Sequence, residues 1–328
     1  MHNFRKTGTG ILLAVVFVLI LAGLDMLLYP CTFMRNDIHT VVTQQRDDII
    51  LGTSHGKMGI DPEAMETVTG RSGHNLCVGS EYCEDAYYLL KLIQEKQAPS
   101  RVIYEIDPGY FVTEKQEGNN YLLFFHEFPL SLAKLEYFRT SIAKCNFRTI
   151  LFPWYEYSLK LELERAKDTI TQKWNHDYGV EKLKSGTQEY HESGFIERYP
   201  VDISKLKKPS DPKVFEESAL NMDNMKYLKK LIGYCKEQGT EFVAVTTPMP
   251  KVTLQDYPEN FSQAWSWFSE FFEQQEVLYL NFNTEYYKAF PHDMENFTDY
   301  DGHLNSEAAR RFSGIFARIM EKRLSESA

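Results

Sequence analysis

Five short apolar runs punctuate the chain from residue 49 onward, at 49–51, 74–80, 101–108, 241–247 and 277–281, and each gives way to small or polar residues. Runs of this length, bounded by Gly, Pro, Ser and Asn, predict strands buried on both faces. Between them the apolar positions change to helical spacing. Ala86, Leu89, Leu90 and Ile93 share one face of a helix expected over 81–96, which Pro99 stops. Met225, Leu228, Leu231, Ile232 and Cys235 share a face over 223–238, ended by Gly239. A Trp- and Phe-rich helix is expected at 262–273, and a last one at 306–324 with Asn305 or Ser306 as its N-cap. Asp61-Pro62-Glu63 opens a further short helix with Pro in its first turn. Strands alternating with helices predict a parallel sheet covered on both faces, an α/β fold of three layers, α/β/α, around a mainly parallel five-stranded sheet.

Two stretches break the alternation. Residues 11–28 are almost wholly apolar, interrupted by Gly23 and Asp25, and His2, Arg5 and Lys6 precede them. Eighteen residues at about 1.5 Å each nearly match a hydrocarbon core of about 30 Å. A single-pass transmembrane helix is expected, with its basic N-terminal end in the cytoplasm and the bulk of the chain extracellular. A cleaved signal peptide would carry a small-x-small site, which is missing, and no Cys follows Leu21-Ala22-Gly23 as a lipoprotein would require. Asp25 sits near the outer end, where its carboxylate can reach water. Organisation follows: cytoplasmic N-terminus and anchor over 1–30, a juxtamembrane connector over 31–47, and a globular domain over 48–328. Within that domain, 112–215 loses its alternation and is rich in aromatics, then polar from 174 to 212. It is expected to be a mostly helical insertion over the carboxyl edge of the sheet.

Composition adds little and excludes something. With 43% hydrophobic and 25% charged residues among 328, the chain is an ordinary globular one. A formal charge of -10 argues against nucleic acid or an anionic membrane surface as the main partner. Five cysteines (31, 77, 83, 145 and 235) form no zinc spacing and no disulfide framework. Cys77 and Cys83 are close enough to pair, yet each also reads as a small buried apolar residue. No cofactor is implied. His292 and Asp293 lie near Asp299 and His303, but their spacing matches no metal site.

The candidate chemistry lies at two polar knots. Gly52-Thr53-Ser54-His55 breaks the first strand, and Asp299-Tyr300-Asp301-Gly302-His303-Leu304-Asn305 precedes the last helix. In an open α/β sheet, sites collect outside the carboxyl ends of strands. A hydroxyl exposed at a strand-to-helix turn becomes a nucleophile when an imidazole takes its proton and a carboxylate steadies that imidazole. Each residue alone also has a plain structural reading: Ser54 as a helix N-cap, His303 as a loop histidine, His55 as a hydrogen-bonder whose side chain points elsewhere.

These blocks, with Asn75 to Ser80 between them, resemble the SGNH/GDSL hydrolase superfamily. Within it they are most similar to the membrane-anchored DltD-like proteins and to the SGNH-like proteins that accompany membrane-bound O-acyltransferases. The resemblance covers the chain from residue 49 to the end. It implies Ser54 as nucleophile and His303 as general base, with Asp299 or Asp301 behind the histidine, since Tyr300 holds the position three before it. It implies oxyanion donors at Ser54 and Gly79, with Ser80, His55 and Asn75 among the substrate-contacting candidates. The family's Asn donor is replaced here by Glu105-Ile106-Asp107. The implied activity is acyl transfer, such as O-acetylation, to a cell-envelope polysaccharide or teichoic-acid-like acceptor. A multi-span O-acyltransferase would be the partner that delivers the acyl group. Hydrolysis of a glycan or lipid ester by water, and a non-catalytic envelope-binding role, are the alternatives.

Overall fold

The computed structural model describes residues 2–29, 32–79, 81–115, 124–145, 184–208 and 215–327, together with 150, 167, 170–171 and 173–175. In chain order its elements are α1 (His2–Leu28), α2 (Phe33–Thr43), β1 (Asp48–Leu51), α3 (Ser54–Gly59), α4 (Pro62–Thr69), β2 (Gly73–Asn75), α5 (Cys83–Gln94) and β3 (Arg101–Glu105). They continue with α6 (Leu132–Thr140), β4 (Gln188–Tyr190), β5 (Ile196–Arg198), α7 (Met222–Gln238), β6 (Glu241–Thr246), α8 (Lys251–Asp256), α9 (Pro258–Gln274), β7 (Leu278–Asn281) and α10 (Ser306–Ser327). Five strands form one sheet in the order β2-β1-β3-β6-β7, and every pairing is parallel.

Alternation along the strands sorts the core into two layers. Ile49, Leu51, Val102, Phe242 and Ala244 face one side, where α2, α5, α7 and α9 supply Met34, Leu89, Leu228 and Phe268. Ile50, Ile103, Val243 and Val245 face the other, against Met65 of α4 and Phe312, Phe316 and Met320 of α10. The fold is a three-layer α/β/α sandwich. Its caps match the residues that begin each helix: Asp61 accepts from Glu63 N–H at α4, and Asn305 rather than Ser306 caps α10 by accepting from Ala308 N–H at 3.1 Å.

Three regions gain detail in the structure. Within the 31–47 connector, residues 33–43 form a helix, and Met34, Asp37, Ile38 and Val41 are buried against the domain. The polar stretch after 174 contains the antiparallel hairpin β4–β5, whose turn lies against the sheet edge: Ser193 O accepts from Asn75 N–H at 2.8 Å. In the described part of the aromatic insertion, α6 packs beside α5, with Tyr137 stacked on Tyr88 at 4.6 Å, while Lys208 and Phe215 lie over the carboxyl edge of the sheet. Residues 121–123 and 151–160 of that insertion lie outside the described residues, as does Cys31. Cys77 and Cys83 do not pair: both are free thiols, and Cys83 Sγ lies 3.2 Å from Tyr104 Oη. Burial pushes both thiols well up, so they behave as core residues.

Helix α1 is long and apolar enough, over Thr7–Leu28, to cross a membrane, and that stretch is unburied by the rest of the chain.

Candidate active site

The strand order reverses direction between β1 and β3, and β1 ends there in the turn that carries Ser54. Gly52 makes this turn feasible. Its φ is +137°, and an added Cβ would fall 2.7 Å from Glu105 Cβ and 2.8 Å from Glu105 O. Only a residue without a side chain lets β1 leave the sheet this close to β3. Thr53 then caps α3, its hydroxyl accepting from His55 N–H at 3.3 Å. Ser54 is the first helical residue, so capping does not occupy its hydroxyl.

Two buried carboxylates hold this turn from below. Glu105 Oε2 accepts from Thr53 N–H at 2.9 Å and from the Thr53 hydroxyl at 2.7 Å. Glu81 Oε1 accepts from Gly52 N–H at 3.2 Å. The second oxygen of each has no hydrogen-bond partner. Burial pushes both carboxyls up, Glu81 furthest, with the nearby carboxylates adding to it. Neighbouring buried acids oppose one another's ionisation. An acidic residue closing a buried strand, after Val102, Ile103 and Tyr104, was the sequence signal for Glu105. Glu81 gave none.

The second knot is folded back on itself. Thr298 N–H donates to His303 O at 2.8 Å, and Asn305 N–H donates to Asn296 O at 3.0 Å. Inside the loop, Asp299 Oδ1 accepts from the N–H groups of Gly302 and His303, both at 3.1 Å. Asp299 Oδ2 accepts from His303 Nδ1–H at 2.8 Å. With that nitrogen protonated, Nε2 is the acceptor, and the Ser54 hydroxyl donates to it at 2.8 Å. Hydroxyl, imidazole and carboxylate therefore stand in one hydrogen-bonded line, within the reach that proton transfer requires. Burial would raise the Asp299 carboxyl, but the His303 hydrogen bond and charge outweigh it and lower it from 3.8 to about 2. A depressed folded value means stability present above about pH 4 and lost as pH falls through about 2, worth roughly 2 kcal/mol.

The other expected site residues divide. Asp301 reaches the site through its backbone: its carbonyl accepts from His55 Nε2–H at 2.8 Å. His55 points inward, contrary to expectation. Its ring lies 4.7 Å from that of His303, and its Nδ1 is 3.5 Å from Asp107 Oδ2. Burial pulls the His55 imidazole down, but Asp107, Glu105 and Asp299 outweigh it and hold it above its usual value. Thus His55 joins three segments, the Ser54 turn, the end of β3 and the Asp299–His303 loop. Asp107, just past the end of β3, is turned to His55 and to Gly109 N–H at 2.9 Å. Gly79 lies beside Ser54, an added Cβ falling 3.7 Å from Ser54 Cβ. Asn75 does not contact substrate space. It is fully buried, donating to the carbonyls of Gly56 and Ile60 and accepting from Cys77 N–H. Ser80 lies outside the described residues. His292 is also apart from the site, its two ring nitrogens facing the carbonyls of Met249 and Tyr287.

In front of Ser54 and His303 lies a cavity of about 390 Å³. Tyr110, Phe215, Tyr257, Phe261, Trp265 and Tyr300 line much of it, and the Lys208–Asp256 ion pair (2.7 Å) stands at its edge. Among the described residues of the insertion, Lys208 and Phe215 reach this space.

No protein-family model matches the chain, and no curated protein sequence matches it. Among solved structures, one from Desulfitobacterium hafniense, described as a lipolytic protein of the G-D-S-L family, is similar at 11% identity. The match covers 83% of this chain and 99% of that one with a TM-score of 0.37.

Proposed function

We propose that the chain is a membrane-anchored serine enzyme that moves an acyl group through an ester on Ser54. The observation that carries this reading is the line from Ser54 Oγ through His303 to Asp299, with both contacts at 2.8 Å. In the proposed reaction His303 takes the Ser54 proton as the oxygen attacks the acyl carbonyl, then returns it to the leaving group. The N–H groups of Ser54 and Gly79 are the assigned oxyanion donors, each worth about 3 kcal/mol in the transition state. The acyl-enzyme then passes its acyl group, a small one such as acetyl, to a hydroxyl of a cell-envelope polysaccharide or teichoic-acid-like polymer. A cavity of about 390 Å³ walled by aromatic rings suits a sugar unit, whether that unit is the acyl acceptor or the ester itself. On this reading α1 crosses the cell membrane with Arg5 and Lys6 inside and the catalytic domain outside, and a multi-span O-acyltransferase supplies the acyl group.

The test uses a serine-reactive fluorophosphonate and an activated acetyl ester on the full chain in detergent. Labelling at Ser54 and an acetylated intact mass are expected. A polysaccharide acceptor should then accelerate loss of the acetyl mass beyond water alone. Absence of both adducts would leave a binding protein. Adducts with no acceptor effect would favour the esterase.

The two acidic candidates behave differently in this scheme. Asp299→Asn should lower kcat by about four decades, because the imidazole then loses its tautomer-fixing partner. Asp301→Asn should stay within about tenfold of the parent, since its contribution comes from a main-chain carbonyl. Steady-state rates on an activated ester compare them, and an equal loss in both would remove Asp299 from its role.

A further inference from the structure

Helix α6 is two-sided. Ala133 and Tyr137 are buried, while Leu132, Leu135 and Phe138 are 75%, 56% and 40% exposed, and Leu130 just ahead is 85% exposed. Spacing of three places these side chains on one strip of the helix. Soluble surfaces carry single exposed leucines without consequence, but a contiguous strip marks a contact.

The position of the strip says with what. Phe138 stacks on Phe125 at 6.0 Å, Phe125 meets His126 at 5.6 Å, and His126 meets Tyr29 at 6.0 Å. Tyr29 directly follows the last residue of α1. From another segment, Lys173 Nζ donates to Asp25 O at 2.7 Å and lies over the Tyr29 ring. The next residue, Trp174, is 74% exposed. Exposed apolar groups from two segments therefore gather where the apolar helix ends. A nine-residue helix is far too short to span a bilayer, but its apolar face suits the headgroup–acyl boundary, where Trp also concentrates. Arg139 and Lys144, both exposed, follow the strip and would meet lipid phosphates.

We propose that Leu130, Leu132, Leu135, Phe138 and Trp174 form a collar that rests in the outer interface of the bilayer crossed by α1. The collar depends on the anchor reading given above. Its occupant is lipid, and it fixes the orientation of the domain, and so of the Ser54 cavity, relative to the membrane.

The test uses the full chain in nanodiscs of phosphatidylcholine and phosphatidylglycerol, with Cys31→Ser and Cys145→Ser as background. Nitroxide labels are attached at Val16→Cys in α1, Leu135→Cys in α6 and Lys229→Cys on α7. Collision with oxygen and with a water-soluble nickel chelate is measured. Val16 should favour oxygen strongly, and Leu135 should be protected from nickel at least severalfold relative to Lys229. Nickel access at Leu135 equal to that at Lys229, with Val16 embedded, would overturn the collar and leave the anchor standing; a strip reserved for a protein partner gives this result. Nickel access at Val16 itself would instead overturn the anchor, and the collar with it.

Discussion

Replacing Ser54 with Ala is expected to lower turnover of an activated acyl ester by about three decades or more, with thermal unfolding unchanged. The two halves of this outcome have separate causes. The Ser54 hydroxyl donates to His303 Nε2, and without it no oxygen remains at that point to attack a carbonyl. The fold does not depend on it, because Thr53 caps α3 and His303 keeps its bond to Asp299. The competing view, in which Ser54 serves only as a cap, predicts the reverse: a loss of about 1 kcal/mol in stability and no change in rate. Thr53→Ala supplies the contrast. It removes the actual cap and a bond to Glu105, so it should destabilise while the nucleophile remains. Ester hydrolysis and denaturant midpoints measured on both variants separate the readings, and a Ser54→Ala protein of unaltered turnover would end the acyl-enzyme proposal.

The sheet was legible because parallel strands are buried on both faces and must be apolar throughout, as 49–51 and 242–245 are. The two polar knots were legible because strand ends collect chemistry. Side-chain direction was not. His55 follows Ser54, and its inward turn is set by the Asp301 carbonyl and Asp107, which tertiary folding brings to it. Asn75 looked available because an amide near a strand end suits a donor role; three main-chain partners consume it. The choice between Asp299 and Asp301 turned on the path of a four-residue loop, in which Gly302 adopts φ +105° and lets the chain fold His303 back over Asp299. The hairpin β4–β5 has three-residue strands with polar and aromatic side chains, too short for a period of two to register. Helix α2 was missed because Asp37 interrupts the apolar series Met34, Ile38 and Val41.

That interruption has a large expected effect of its own. Asp37 is 1% exposed, and its Oδ2 accepts from Lys57 Nζ at 2.7 Å. Its Oδ1 accepts from His74 Nε2–H at 2.9 Å and from the Tyr190 hydroxyl. Burial would raise the Asp37 carboxyl, but Lys57 and His74 outweigh it and hold it below the usual range. Lys57 also donates to Asn75 O at 2.9 Å and lies 4.8 Å from the Phe33 ring. The ion pair thus ties α2, which follows the apolar α1, to α3, the helix that begins with Ser54. Asp37→Leu leaves the buried Lys57 ammonium without its counter-charge and should cost about 3–5 kcal/mol, a fall in Tm on the order of 10 °C. Replacing both partners, Asp37→Leu with Lys57→Met, removes the stranded charge as well. The double variant should therefore regain about 1–3 kcal/mol over the single one, a coupling that a thermodynamic cycle reads directly. Labelling of Ser54 by fluorophosphonate, run well below the unfolding range, then reports whether α3 keeps its place: a folded Asp37→Leu protein should label more slowly than the parent. A loss under about 1 kcal/mol, or single and double variants of equal stability, would mean that apolar packing of Met34, Ile38 and Val41 alone holds α2, and that the charge pair is incidental.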